Sequence, residues 1–310
     1  MKTVGINKQI QTLGTERYGD QVTPLDLMSA MEIVTIINDK DKVIAHKIEK
    51  VLPEIARASE EIAARFTNGG RIIYVGAGSS GRIGVLDAVE LGPTYDVDAS
   101  RAFGLLAGKE KAMFVAIEGS EDDRDMGRQD IVEAKVNELD VVIGIAASGR
   151  TPYTDSALQE AKARNAYTIA VTSNKDSLMS ITADLAIEVD MDPEIVAGST
   201  RMGSGTAQKM ILNMLSTTSM ILSGRVYNQY MVYVRATNEK LIQRSILLIQ
   251  QITGVDQERA IELFEKSNHV VATAIVMELG QVDAKTAKHL LEVNKGKVRG
   301  ALSDIEASLR

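Results

Sequence analysis

The chain of 310 residues has no cysteine, so disulfides and thiolate metal sites are excluded. It has no tryptophan, and aromatic residues make up only 4%, which argues against stacked bases or stacked sugar rings as the main mode of recognition. The net charge is −7 and no basic stripe is evident, so nucleic acid is not an expected partner. No apolar run reaches the roughly 18 residues of a membrane span. Met1 to Asp20 is polar and lacks an apolar core ahead of a cleavage site, so no secretory leader is expected and a cytoplasmic location is. The three histidines, His46, His269 and His289, have no ligand-spaced partners, and no metal site or other cofactor is expected.

What remains is an ordinary balance of 45% hydrophobic and 25% charged residues, and 24 glycines. Several of those glycines gather in three loops rich in hydroxyls. They are Gly76-Ala77-Gly78-Ser79-Ser80-Gly81-Arg82, Ala147-Ser148-Gly149-Arg150-Thr151 and Gly198-Ser199-Thr200-Arg201. The first two follow short apolar runs that read as buried strands and precede helical patterns. Such a loop aims free backbone N–H groups and a helix start at one point, which favours an anion. Serine and threonine hydroxyls add donors for phosphate oxygens. In a chain with negative net charge the phosphate must be held by local geometry, and a sugar phosphate fits that description.

Short apolar runs alternate with helical patterns, which predicts a doubly wound parallel sheet with helices on both faces. Strands are expected at Arg71–Val75, Ala102–Leu106, Val141–Ala146, Tyr167–Thr172 and Leu185–Val189. Helices are expected over Pro24–Asn38, Asp39–Asn68, Arg82–Leu91, Glu121–Leu139, Pro152–Arg164, Gly203–Ser223 and Val234–Gln251. Beyond Gly254 three short helical patterns and no strand remain, with Asp256 as an N-cap. The organisation read from this is an N-terminal arm and helix (1–50), a phosphosugar-binding domain (51–240) and a small helical subdomain (241–310).

Two glutamates carry possible acid–base chemistry. Glu90 is read at the end of a helix, where the macrodipole disfavours an anion and suits a general acid. Glu121 follows Ser120, with Asp123 three residues after the serine, as in a capping box; at a first helical position its carboxylate is favoured and suits a general base. Each can equally be read as surface charge. The first loop also spells G-x-G-x-x-G, so a dinucleotide site is the alternative. The acidic residue that reading needs, Asp96 or Asp98, lies ahead of the next strand instead of at its end.

These segments resemble the N-acetylmuramic acid 6-phosphate etherases of the sugar isomerase (SIS) superfamily. The resemblance extends through Leu86-Asp87-Ala88-Val89-Glu90, Glu118-Gly119-Ser120-Glu121-Asp122, Gly198-Ser199-Thr200-Arg201-Met202 and Ala236-Thr237-Asn238-Glu239-Lys240-Leu241, over nearly the whole chain. It implies cleavage of the D-lactyl ether of N-acetylmuramic acid 6-phosphate by a homodimer without a metal cofactor. By the same resemblance Glu90 is the proton donor, Glu121 the second essential glutamate, and Lys240 a candidate for opening the sugar ring. Ser79, Ser80, Gly81, Ser148, Gly149, Thr151, Ser199 and Thr200 are the implied sugar-phosphate positions. The chain departs from the family pattern at Leu91-Gly92, Lys109, Gly203 and the Thr15–Asp20 stretch. Two rival readings share the loops: an aldose–ketose isomerase, and a non-catalytic sugar-phosphate sensor.

Overall fold

A computed structural model describes residues 23–235 and 238–308. Most of the expected N-terminal arm, with Thr15–Asp20, and residues Ala236 and Thr237 lie outside the described residues.

Five parallel strands form the central sheet: β1 (Ile72–Gly76), β2 (Ala102–Leu106), β3 (Val141–Ala146), β4 (Tyr167–Thr172) and β5 (Leu185–Glu188), in the order β2-β1-β3-β4-β5. Every residue of β1 and β3 is buried, as a sheet covered on both faces requires. Alternate side chains enter two cores. Ile72, Tyr74, Ile143, Ile145, Ile169 and Val171 face one side, where α1 (Ala30–Glu49), α2 (Leu52–Thr67), α3 (Gly78–Tyr95) and α7 (Gly203–Leu222) pack. Ile73, Val75, Val142 and Ala170 face the other, under α4 (Arg124–Glu133), α5 (Pro152–Ala163) and α6 (Leu178–Thr182). The doubly wound sheet is therefore present, with its strands within a residue of where the apolar runs put them.

Helix boundaries differ in places, for local reasons. The first long helix does not break at Asn38; it runs from Ala30, capped by a reciprocal Ser29–Glu32 box, to Glu49. The break falls at Lys50-Val51 because Pro53 has no N–H and fits only a first turn. Conversely, α3 does not stop before Pro93. The proline removes one hydrogen bond near the end, and the helix closes at Asp96, a left-handed residue (φ 53°) whose N–H reaches Gly92 O. The polar helix expected from Glu121 starts later, at Arg124, because Asp123 is the N-cap: its Oδ1 accepts from Met126 N at 2.8 Å.

The rest of the chain, from Tyr227 to Ile305, builds a separate hydrophobic cluster around Phe264, Ile275 and Ala301. A continuous helix from Val234 is not formed. A hairpin of β6 (Val226–Tyr227) and β7 (Tyr230–Met231) comes first, and α8 (Glu239–Thr253) begins after the cap Asn238. The expected cap at Asp256 does start α9 (Gln257–Lys266), and α10 (Val271–Gly280) and α11 (Ala284–Val293) follow. A fourth helix beyond Gly254, α12 (Val298–Ser308), was not among the expected patterns; it seats Val298 and Ala301 in the cluster.

Asp87 ties three elements together. Tyr74 Oη donates to Asp87 Oδ2 at 2.6 Å and Ser216 Oγ to Oδ1 at 3.1 Å. Burial pushes the Asp87 carboxyl above its ordinary value, against the pull of those two hydrogen bonds. The native state then holds this proton more tightly than the unfolded chain does. Its stabilising contribution is complete below the unfolded value of about 3.9 and is lost as pH rises through the folded one. Asp87→Asn abolishes this titration and keeps an acceptor for Tyr74. Urea midpoints should therefore shift in the variant's favour between pH 4 and pH 7; a pH-independent difference would contradict the assignment. Asp87→Ala leaves the Tyr74 hydroxyl, on a side chain 1% exposed, without its partner, at a cost of about 1–3 kcal/mol.

Candidate active site

The sheet order places a switch between β1 and β3: the chain leaves β1 toward β2 on one side, and β3 continues the sheet on the other. Ligands of open α/β sheets bind outside the carboxyl ends of the strands at such a point. A cavity of about 490 Å³ opens there. It is lined by Ser79 and Ser80 from the loop after β1, Ser148 and Thr151 from the loop after β3, Ser199 and Thr200 from the third loop, and Glu121.

The loops contribute in two ways. Ala77 and Thr151, the N-cap residues of α3 and α5, make no side-chain cap, so the first N–H groups of α3 are left for a ligand; α5 opens with Pro152, which has no N–H, and offers only those of Tyr153 and Thr154. The start of α7 is already occupied. Glu194, itself buried, accepts from Gly203 N and Ser204 N at 2.9 Å each. The third loop therefore offers hydroxyls and the Arg201 guanidinium, not a helix dipole. Glu194→Ala would orphan both N–H groups. It should cost about 1–2 kcal/mol in urea unfolding and raise KM, because Ser199, Thr200 and Arg201 lead directly into α7. An unchanged KM would show that the loop holds its place without the cap.

Gly81 and Gly149 do not line the cavity; they let it form. A Cβ on Gly81 would lie 2.5 Å from Gly76 O, and one on Gly149 (φ 65°) 2.3 Å from Ser177 Oγ. Glu121 sits half-buried in a single 3-10 turn, Ser120–Asp122, three residues before α4, so it is not the first residue of a helix. Ser120 caps no helix; its hydroxyl donates to Ile117 O at 2.7 Å.

Glu90 and Lys240 stand outside the cavity within one chain. Glu90 lies exposed on α3, 12 residues after its first residue, Gly78, about 18 Å along the axis at 1.5 Å per residue. It is five residues short of the helix end, so the expected terminal position is not found. Leu86 and Val89, 56% and 62% exposed, flank it. Lys240, also exposed, is the second residue of α8. Arg235 Nε, shortly before it, pairs with Asp96 Oδ1 at the end of α3 at 2.6 Å.

Three further lining residues escaped the sequence reading: Arg82, Arg201 and Glu118. Both arginines close the hydroxyl loops, where a cation complements a phosphate, and that signal was available. Arg82 is held by its Nε donating to Ala112 O at 2.9 Å. Among the described residues, no group of three or more His, Asp or Glu is gathered to hold a metal, and no helix is long and apolar enough to cross a membrane.

Two uncapped helix starts and a ring of hydroxyls at the switch point define a SIS-type α/β protein. The glucokinase regulatory protein N-terminal SIS domain family matches residues 54–162, and the SIS domain family matches residues 124–218. The N-acetylmuramic acid 6-phosphate etherase 1 of Enterococcus faecalis is 47% identical over 294 residues, which cover 95% of this chain and 98% of that protein. That of Bacillus licheniformis is 44% identical over 302 residues, 97% of this chain and 99% of the other. A solved phosphoheptose isomerase from Neisseria gonorrhoeae covers 63% of this chain and 98% of its own at 17% identity, with a TM-score of 0.48. The chain belongs to the N-acetylmuramic acid 6-phosphate etherase family.

Proposed function

We propose that this chain cleaves the D-lactyl ether at C3 of N-acetylmuramic acid 6-phosphate, giving N-acetylglucosamine 6-phosphate and D-lactate. The observation that carries the reading is the gathering of Ser79, Ser80, Ser148, Thr151, Ser199 and Thr200 around Glu121 in one cavity of a chain with this family membership. The enzyme is a carbon–oxygen lyase. The hydroxyls and the open N–H groups of α3 and α5 grip the 6-phosphate, with Arg82 and Arg201 completing the charge.

An ether resists cleavage because an alkoxide is a poor leaving group. Ring opening, for which Lys240 is the candidate, exposes an aldehyde at C1 and acidifies the C2 proton. Glu121 takes that proton, and the electron pair forms an enolate. Collapse of the enolate expels the lactyl oxygen from C3 while a carboxylic acid, assigned to Glu90, gives it a proton. Water then adds to C3: Glu90 takes one of its protons, the hydroxyl stays on the sugar, and Glu121 returns its proton to C2, which restores both groups. General acid and base catalysis of this kind contributes about 10²–10⁴-fold each.

This chemistry needs both glutamates at one sugar, and a single chain keeps them apart. A homodimer resolves this: the second copy lays the exposed Glu90 face of α3, with Leu86 and Val89, over the cavity. Phe114 and Val115, 89% and 53% exposed beside the cavity residues Ala112 and Ala116, offer the opposing apolar surface. The Arg235–Asp96 pair supports Lys240 arriving on the same copy as Glu90. A cytoplasmic location and a role in amino sugar catabolism and peptidoglycan recycling belong to the same proposal, as does a division into an N-terminal segment, a phosphosugar-binding domain and a helical tail.

The test is direct. Purified protein with N-acetylmuramic acid 6-phosphate should release D-lactate and N-acetylglucosamine 6-phosphate in equal amounts. An isomerase would exchange the C2 proton and leave C3 intact, and a sensor would bind without turnover. Absence of lactate overturns the reading.

A further inference from the structure

A second cleft lies by the amino ends of β1 and β2, away from the carboxyl ends where the first cavity opens, and there the helical tail meets the sheet layers. Two adjoining cavities of about 630 and 300 Å³ share Arg225, Glu292 and Lys295. On the tail side the larger is lined by Lys266, Lys285 and Lys288; on the sheet side Arg101 and Ser223 line the smaller. Six cations thus face one cleft, and Glu292 is the only carboxylate among its lining residues. The whole chain carries a net charge of −7, so this is a local inversion of the protein's field.

The positive charges are largely uncompensated. Among the described residues, the Arg225 guanidinium has no hydrogen-bond acceptor. It is half-buried, stacked 4.7 Å from the centre of the Tyr233 ring, with its fork of donors unused. Lys285 and Lys288 form no ion pair among the described residues, although the Asp283 carboxyl, held low first by the Thr286 N–H, also feels the Lys285 charge; Lys295 Nζ meets only the neutral Asn68 Oδ1 at 3.1 Å. Lys266 alone is paired, with Glu262. Arg101 is fixed by donating to Gly70 O and Phe66 O. Burial lowers its affinity for its own proton, and the like charge of Arg225 lowers it further. The cleft also holds an unused donor of another kind. Ser223, 4% exposed, has a buried hydroxyl with no hydrogen-bond partner among the described residues. A buried hydroxyl left unpaired costs about 1–3 kcal/mol, and one beside an accepterless guanidinium is placed for an anion's oxygens.

We infer that this cleft is a second anion site, separate from the strand-end cavity, and that it takes a small molecule bearing two or more phosphoryl groups. One phosphoryl group is received by Arg225, Lys295 and the Ser223 hydroxyl; the rest of the molecule extends over Tyr233 toward Lys285 and Lys288. The volume admits more than a lone phosphate, and the spread of the lysines along α11 rewards charge at both ends of the ligand.

The experiment uses the full chain and inorganic tripolyphosphate as the probe, by titration calorimetry without divalent cations. Saturable binding is expected. Lys285→Gln with Lys288→Gln changes only exposed side chains and should weaken it about tenfold or more, with the KM for the sugar phosphate unchanged. Arg225→Gln should weaken it further. Orthophosphate binding as tightly, with the same sensitivity to these variants, would assign the site to the free ion instead of a phosphorylated metabolite. Undiminished binding in the double lysine variant overturns the inference. So does loss of binding in Ser148→Ala with Thr151→Ala, which would put the probe in the strand-end cavity, or binding of long polyanions alone.

Discussion

Glu90→Gln and Glu121→Gln enzymes, each nearly inactive alone, should recover about a quarter of the wild-type rate when equal amounts are mixed and allowed to exchange subunits. The figure follows from the proposed dimer, in which each site draws Glu90 from one copy and Glu121 from the other. Half of the random dimers are mixed, and each mixed dimer has one site with both natural glutamates and one with neither. The two variants should also fail differently. In deuterated water Glu90→Gln should still exchange the C2 proton while lactate release falls about 10³-fold, because the base is intact and only the departing alkoxide lacks its proton. Glu121→Gln should lose exchange and release together. Recovery absent on mixing, with each variant shown to be dimeric, would mean that the two carboxyls are drawn from one copy or do not cooperate. Exchange lost in both variants would collapse the division of roles.

The second large effect is expected from Gly81→Ala, a substitution that removes no functional group. The added methyl would lie 2.5 Å from Gly76 O, 2.7 Å from Gly76 C and 2.4 Å from Leu106 Cδ1. Two of these are backbone atoms of β1, which cannot turn aside. The start of α3 must lift off the strand, and Ser79 and Ser80 move with it. Overpacking of this kind costs about 1–3 kcal/mol. The misaimed phosphate loop should raise KM about tenfold or more, since small misplacements of a binding group are amplified. Gly78→Ala is the matched control. Its φ of 55° makes it strained too, but its Cβ would meet nothing within 4 Å. It should lose stability of about 1 kcal/mol with less change in KM. Urea midpoints and lactate kinetics on both variants separate crowding from strain. Equal KM values would show that contact between α3 and β1 does not aim the loop.

The sheet was legible because its strands are short apolar runs with burial on both faces, and such runs stand out between polar helices. The loop residues were legible too, since glycine and serine at a strand end have few other uses. Helix ends read less well. Pro93 near the end of α3 removes only one hydrogen bond, so it did not stop the helix, whereas Pro53 near the start of α2 marked a true beginning. The pattern read Ser120 as the cap of α4 with Asp123 as its partner three residues on; the structure caps with Asp123 itself, and that moves Glu121 off the helix. Arg82 and Arg201 stood inside quoted motifs, yet their approach to a common cavity depends on how far apart the loops come to rest.

By itself the amino-acid order determined the class of fold, the three hydroxyl-rich loops that meet at one cavity and, through segments spread over the chain, the family. These are properties of local pattern: alternation of strand and helix, and residue types needed wherever backbone N–H groups must face an anion. Only the tertiary structure decided that α7 spends its N-terminus on Glu194, that Glu90 and Glu121 lie apart within one chain, and that scattered lysines of the tail converge on one cleft with Arg101 and Arg225 from outside it. The reason is geometric. Charge and exposure at such positions depend on which distant segments pack together, and no window of neighbouring residues contains that information.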